Sequence, residues 1–313
     1  MASPWRLIFF GTPDFAAPTL KTLLQGPDQV VAVVTQPDRR RGRGQKVFPS
    51  PVKEVASARG IQVFQPERAK EEAFQEQLRG LQPDLFVVVA YGQILPKRLL
   101  DIPKHGSVNV HASLLPKYRG AAPIPWAILQ GEEVTGVTTM MIDPGMDTGD
   151  ILLQAEAPIG EKETFEALHD RLALLGARLL SDTVAGLKTG SISSKPQDHS
   201  KATYAPMIKK EDGRIGWDRE ALEIDRLVRA FNPWPGACSL WEGRLLRIYG
   251  GEIRKGSPDG KPGTVVWVGS DFIEVKTGKD SFLIREVQLE GGKRMSTKDF
   301  LLGHPVAVGT LLQ

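Results

Sequence analysis

Asn109-Val110-His111 carries the first candidate chemistry in this sequence. It ends a short apolar run, Gly106 to His111, that reads as a strand. Strand residues two apart face the same side. Asn109 and His111 therefore converge on one point, and an amide N–H beside an imidazole N–H makes a clamp for a developing oxyanion. A lone histidine after a strand is as a rule structural; the asparagine on the same face is what shifts the reading.

Two further segments follow. Ser113-Leu114-Leu115-Pro116-Lys117-Tyr118-Arg119-Gly120 has proline and glycine where they fix a loop, and its leucines offer an apolar wall to a flat ring. A purely structural loop fits these residues equally well. Thr135 to Asp150 reads as a strand running into an acidic, glycine-rich loop, Asp143-Pro144-Gly145-Met146-Asp147-Thr148-Gly149-Asp150. Such loops serve as turns or calcium sites, but the calcium-loop spacing is incomplete and its closing glutamate is missing. Asp147 can instead face His111 and favour the imidazolium form.

These residues need a scaffold. Arg6 to Phe10, Val30 to Thr35, Asp84 to Ala90, Gly106 to His111 and Gly136 to Ile142 read as strands, with helical spacing over Phe15 to Leu24 and Thr164 to Leu187. Alternating strands and helices predict an α/β domain with a doubly wound parallel sheet, its ligand at the C-terminal strand ends. The turn after the first strand, Gly11-Thr12-Pro13-Asp14-Phe15-Ala16, is not Gly-x-Gly-x-x-Gly, and Pro13 and Phe15 obstruct a pyrophosphate. A nicotinamide dehydrogenase is excluded on this ground. Gly190 to Pro196 has the composition of a linker. Beyond it, a helix over Glu220 to Ala230 and short runs at Leu245 to Tyr249, Gly263 to Val268, Phe272 to Val275 and Phe282 to Val287 predict a smaller C-terminal antiparallel β-barrel, OB-like. The expected division is a catalytic domain over 1–190, a linker over 191–207 and a barrel over 208–313.

Bulk properties bound the partners. With 313 residues and 41% hydrophobic content, the chain suits about two domains with ordinary cores. No run approaches the ~20 apolar residues of a membrane span. Met1-Ala2-Ser3-Pro4 leads straight into the first strand without a signal or transit pattern, so the cytoplasm is the expected compartment. The single cysteine excludes an intramolecular disulfide, and five scattered histidines suggest no metal site. The net charge is +3, and the whole excess lies beyond Ser200. A second concentration of charge, Arg39, Arg40, Arg41, Arg43 and Lys46, sits between Gln36 and Ser50, which reads as a mobile loop on the active-site side of the sheet. Basic patches suit a polyanionic partner, although such runs are often only solvated.

Taken in order, Asn-x-His, Ser-Leu-Leu-Pro-x-x-Arg-Gly and Asp-x-Gly-x-Asp-Thr-Gly resemble the formyltetrahydrofolate-dependent formyltransferases. Within that superfamily the chain is similar over its whole length to the branch that formylates methionyl-tRNA. The discriminating pieces are Phe10 to Ala16, Thr35 to Arg39 with the basic stretch after it and Pro49 to Lys53, Arg119 to Ile124, and Arg229 to Gly236. One departure is Ala112, where the family has glycine. The resemblance implies that Asn109, His111 and Asp147 are catalytic and that Ser113, Leu114, Leu115 and Pro116 contact the folate. It implies 10-formyltetrahydrofolate as donor with no metal, and methionyl initiator tRNA as acceptor, its acceptor stem met by the basic loop. A monomer is expected. Two rivals share these motifs, the hydrolase-like domain of formyltetrahydrofolate dehydrogenase and the sugar-nucleotide formyltransferases. The basic stretch favours tRNA over both.

Overall fold

The computed structural model describes residues 3–41 and 46–313. Contacts divide the chain into two compact units, Met1–Pro123 with Val134–Pro158 and His169–Ala205, and Ile124–Glu133 with Ile159–Leu168 and Pro206–Gln313.

The first unit is built on a seven-stranded sheet. Its strands are β1 (Arg6–Gly11), β2 (Gln29–Val34), β5 (Val63–Phe64), β6 (Leu85–Val89), β7 (Ser107–His111), β8 (Val134–Met141) and β9 (Ile151–Pro158); a small hairpin, β3 (Arg39–Arg41) with β4 (Lys46–Phe48), lies outside it. The order is β5-β2-β1-β6-β7-β8-β9. Leu7 to Phe10 and Leu85 to Val87 are fully buried, as unbroken apolar runs in a sheet covered on both faces must be. The chain winds from β1 outward to β2 and then back past β1 to β6, which puts a topological switch point at the C-terminal ends of β1 and β6. Thr12 Oγ1 crosses that point and donates to the Tyr91 carbonyl at 2.9 Å. Phe15, expected to block a pyrophosphate, is buried and meets His169 edge to face.

The sheet departs from the all-parallel expectation at one edge. β8 runs antiparallel to β7, and β9 antiparallel to β8. A buried apolar strand looks the same in sequence whichever way it runs, so direction was not legible there. β9 itself alternates buried and exposed residues, the pattern of an edge strand. The helix α1 (Phe165–Thr189) matches the expected long helix. The stretch read as a basic loop is structured at both ends, with Arg39 opposite Phe48 and Arg41 opposite Lys46. Arg43 lies outside the described residues.

In the second unit, α2 (Ala221–Ala230) buries Ile224, Leu227 and Val228, one face of a helix. The antiparallel strands are β10 (Ala237–Trp241), β11 (Arg244–Arg254), β12 (Val265–Val268), β13 (Ile273–Lys276), β14 (Ser281–Leu289) and β15 (Met295–Ser296). Their order is β10-β11-β14-β13-β12, with β15 on β14. Glu242 (φ 50°) and Gly243 (φ 73°) form the two-residue turn between β10 and β11. Positive φ at both residues makes a type I′ turn, whose twist matches that of the flanking strands. The last residues bridge the open edges. Leu312 donates to the Gly263 carbonyl and Val265 to Thr310, while Leu240 and Gln313 exchange two bonds. The tail therefore spans the gap between β12 and β10. Among the described residues no helix is long and apolar enough to cross a membrane.

Candidate active site

β7 delivers Asn109 and His111 to its C-terminal end. Asn109 lies between Val88 of β6 and Met140 of β8, and His111 lies opposite Thr138. Asn109 is half-buried and His111 buried. The His111 Nε2 is 2.9 Å from the Tyr118 carbonyl oxygen. A carbonyl only accepts, so Nε2 carries a proton and Nδ1 is the free position of the ring. Nδ1 faces the Asp147 Oδ2 at 3.7 Å. The distance suits an ion pair with a charged ring and exceeds a hydrogen bond.

Asp147 is itself held. Its Oδ2 accepts from the Gly120 backbone N–H at 2.8 Å. Gly120 adopts φ 115°, and a Cβ there would lie 2.9 Å from the Ala205 carbonyl oxygen, so only glycine brings this N–H to the carboxylate. Asp147 takes the left-handed conformation, φ 51°, which aspartate tolerates better than most residues. Tyr118, whose carbonyl orients His111, is also left-handed at φ 60°. Two strained residues thus aim one pair of side chains, a local cost met by the surrounding bonds.

The loop between them is pinned from β8. Thr138 Oγ1 donates to the Ser113 carbonyl at 2.7 Å and accepts from the Leu115 N–H at 3.1 Å. Gln154 Nε2 donates to the Leu115 carbonyl at 2.9 Å. Ser113 is fully buried, and its hydroxyl donates to the Lys117 carbonyl. Leu115 is buried as well, while Leu114 and Pro116 are half-buried. Ala112 is buried and lies outside the left-handed region, so its methyl is accommodated without strain.

Two buried polar residues of this neighbourhood were not singled out by sequence reasoning as site residues. Arg119 is 2% exposed. Gln197 is 6% exposed and touches both Arg119 and the Asp147 loop. The basic residues lie elsewhere in the same unit. Arg39 begins β3, directly after Asp38, which anchors the hairpin base: Lys53 Nζ donates to Asp38 Oδ2 at 2.5 Å and Gln65 Nε2 to Oδ1 at 2.7 Å. These hydrogen bonds hold the Asp38 carboxyl below its ordinary value. At the switch point, burial pushes the Tyr91 phenol up to about 12, so it stays neutral.

Residues 5–184 match the formyl transferase family and residues 207–305 the formyl transferase C-terminal domain. The chain is 53% identical over 308 residues to a methionyl-tRNA formyltransferase of Trichlorobacter lovleyi, covering 98% of this chain and 97% of that one. It is 53% identical over 307 residues to a methionyl-tRNA formyltransferase of Citrifermentans bemidjiense, covering 98% and 96%. In fold it is similar to the N-formyltransferase of Helicobacter canadensis solved in complex with folinic acid and dTDP-3-aminofucose, with a TM-score of 0.68 at 20% identity, covering 93% of this chain and 100% of that one.

Proposed function

Because the chain belongs to the methionyl-tRNA formyltransferase family, we propose a specific assignment of its residues to formyl transfer onto the amino group of methionyl initiator tRNA. The donor is 10-formyltetrahydrofolate. The observation that carries the assignment is the approach of His111 Nδ1 to Asp147 Oδ2 beside Asn109, at the end of one strand.

The reaction is acyl transfer to an amine. The methionyl nitrogen attacks the formyl carbon, a C–N bond forms, and the carbonyl oxygen takes up negative charge. Asn109 and the His111 ring stabilise that oxygen, a contribution worth about 3–4 kcal/mol per donor in preorganised sites. The bond from the formyl carbon to N10 of the folate then breaks, and N10 gains a proton as the amine loses one. Asp147 faces and orients His111 and takes the amine proton through water. An α-amine near pKa ~8 supplies enough free base at neutral pH. Leu114, Leu115 and Pro116 form the apolar side of the folate site; the buried Ser113 hydroxyl shapes that loop from within. No metal is required.

Arg39, Arg40, Arg41, Arg43 and Lys46 meet the acceptor stem, since guanidinium groups both pair with phosphate and stack on an exposed base. The catalytic domain spans 1–190, the linker 191–207 and the tRNA-binding barrel 208–313. The enzyme acts as a monomer in the cytoplasm. Incubation with 10-formyltetrahydrofolate and methionyl initiator or methionyl elongator tRNA tests this reading. Formylation of the initiator is expected to dominate. Formyl release without any tRNA would instead support a hydrolase.

A further inference from the structure

In the proposed formyl transfer Asp147 acts through its carboxylate, while its backbone is held by other groups. Gln197 Nε2 donates to the Asp147 carbonyl at 2.9 Å and to the Gly149 carbonyl at 2.7 Å. Its Oε1 accepts from Arg119 at 2.6 Å and 3.2 Å. The orientation of this amide is dictated by chemistry. A guanidinium only donates, so the atom facing it must be the oxygen, and the NH2 group must face the two carbonyls. Both amide N–H groups are used, and both grip the chain on either side of Thr148. Arg119 is itself fixed, because its second nitrogen also meets His199 Nδ1 at 3.0 Å.

The geometry points to Gln197 as a positioning residue of the formyl transfer: Arg119 locks its amide, and the amide holds Asp147 in the left-handed conformation that aims its carboxylate at Gly120 and His111. This rests on the assignment of Asp147 to the reaction. Glutamine suits the task because it alone combines this length with two donors and an acceptor. Glutamate is the diagnostic replacement. It would still satisfy the buried Arg119, but would set an oxygen against two carbonyl oxygens. The loop would lose its grip while the guanidinium kept its partner. Leucine, by contrast, would strand a buried charge.

The test is single-turnover formylation by the full chain, with 10-formyltetrahydrofolate and methionyl initiator tRNA both saturating. Gln197→Glu, Asp147→Ala and the double variant are compared with the parent. Gln197→Glu is expected to slow the chemical step at least about tenfold with KM for tRNA unchanged. In the Asp147→Ala background the same change should cost less than about twofold, because it acts through Asp147. If Gln197→Glu does not fold, Gln197→Asn, which keeps an amide oxygen for Arg119 but is too short to hold both carbonyls, must give the same pair of results. A parent-like rate for the Gln197 variant beside a slow Asp147→Ala overturns this inference alone. The full tenfold loss in the Asp147→Ala background also overturns it, since Gln197 would then act by another route. A parent-like rate for Asp147→Ala overturns the Asp147 assignment and this inference together.

Discussion

The acidic loop at Asp147 and the basic hairpin at Arg39 belong to the same unit, and they are built in opposite ways. The acidic loop is fastened from behind by Gln197, and its key carboxylate is 18% exposed and already bonded to Gly120. The hairpin is fastened at its base, by Asp38, Lys53 and Gln65. On its returning strand Val47 and Phe48 stand 59% and 47% exposed. Acyl transfer needs donors fixed before the charge develops, because reorganisation would cost rate. Binding a long polyanion gains from cations that can adapt to it and release counterions. The account therefore assigns rate to the first region and acceptor binding to the second.

The sharpest way to break that comparison is to remove the two proposed oxyanion donors. Asn109→Ala and His111→Ala are each expected to lower kcat by about a hundredfold or more, with tRNA binding unchanged. A variant that loses affinity instead of rate would erase the distinction between the two regions. The hairpin should respond the other way. Arg41→Ala with Arg43→Ala should raise KM for tRNA about tenfold and make the salt dependence of binding shallower by about two counterions, with folate affinity unchanged. If formylation and its salt slope both stayed at parent values, acceptor recognition would have to be moved to the barrel.

The smallest effect concerns the hairpin's base. The Asp38–Lys53 pair is partly exposed, so breaking it with Lys53→Met should cost about 1 kcal/mol or less at pH 7. The sign with pH follows from the lowered Asp38 value. A carboxyl depressed in the folded state stabilises fully above its unfolded value of about 3.9, and that stabilisation disappears as pH falls through the folded value. Urea unfolding of the parent and Lys53→Met should therefore differ at pH 7 and converge well below pH 4. An equal difference at both pH values would show that Lys53 contributes by packing alone.

Much of this was legible in the residues. Leu7 to Phe10 and Leu85 to Val89 announce central strands because both faces of such strands are buried. Period two alone put Asn109 and His111 on one face. Asp147 was legible as an acid able to face His111, but its place in the reaction needed the resemblance, since an Asp- and Gly-rich loop does not say which acid does chemistry. Three features were hidden. The direction of β8 is not written in its hydrophobicity. The closing tail, Thr310 to Gln313, is too short to carry a period. Gln197 stands in a Ser- and Pro-containing stretch with the composition of a linker, and only the fold brings its amide between Arg119 and the Asp147 loop.

The central claim is that the Asn109, His111 and Asp147 cluster carries out the acyl transfer. Its most direct test is the single-turnover rate of Asp147→Asn with 10-formyltetrahydrofolate and methionyl initiator tRNA both saturating. Asparagine keeps the size of the side chain and can still accept from Gly120, but it sets no negative charge against His111 and cannot take a proton. The account predicts a rate at least about a hundredfold below the parent, with the affinity for tRNA intact. A rate within a few-fold of the parent would contradict it.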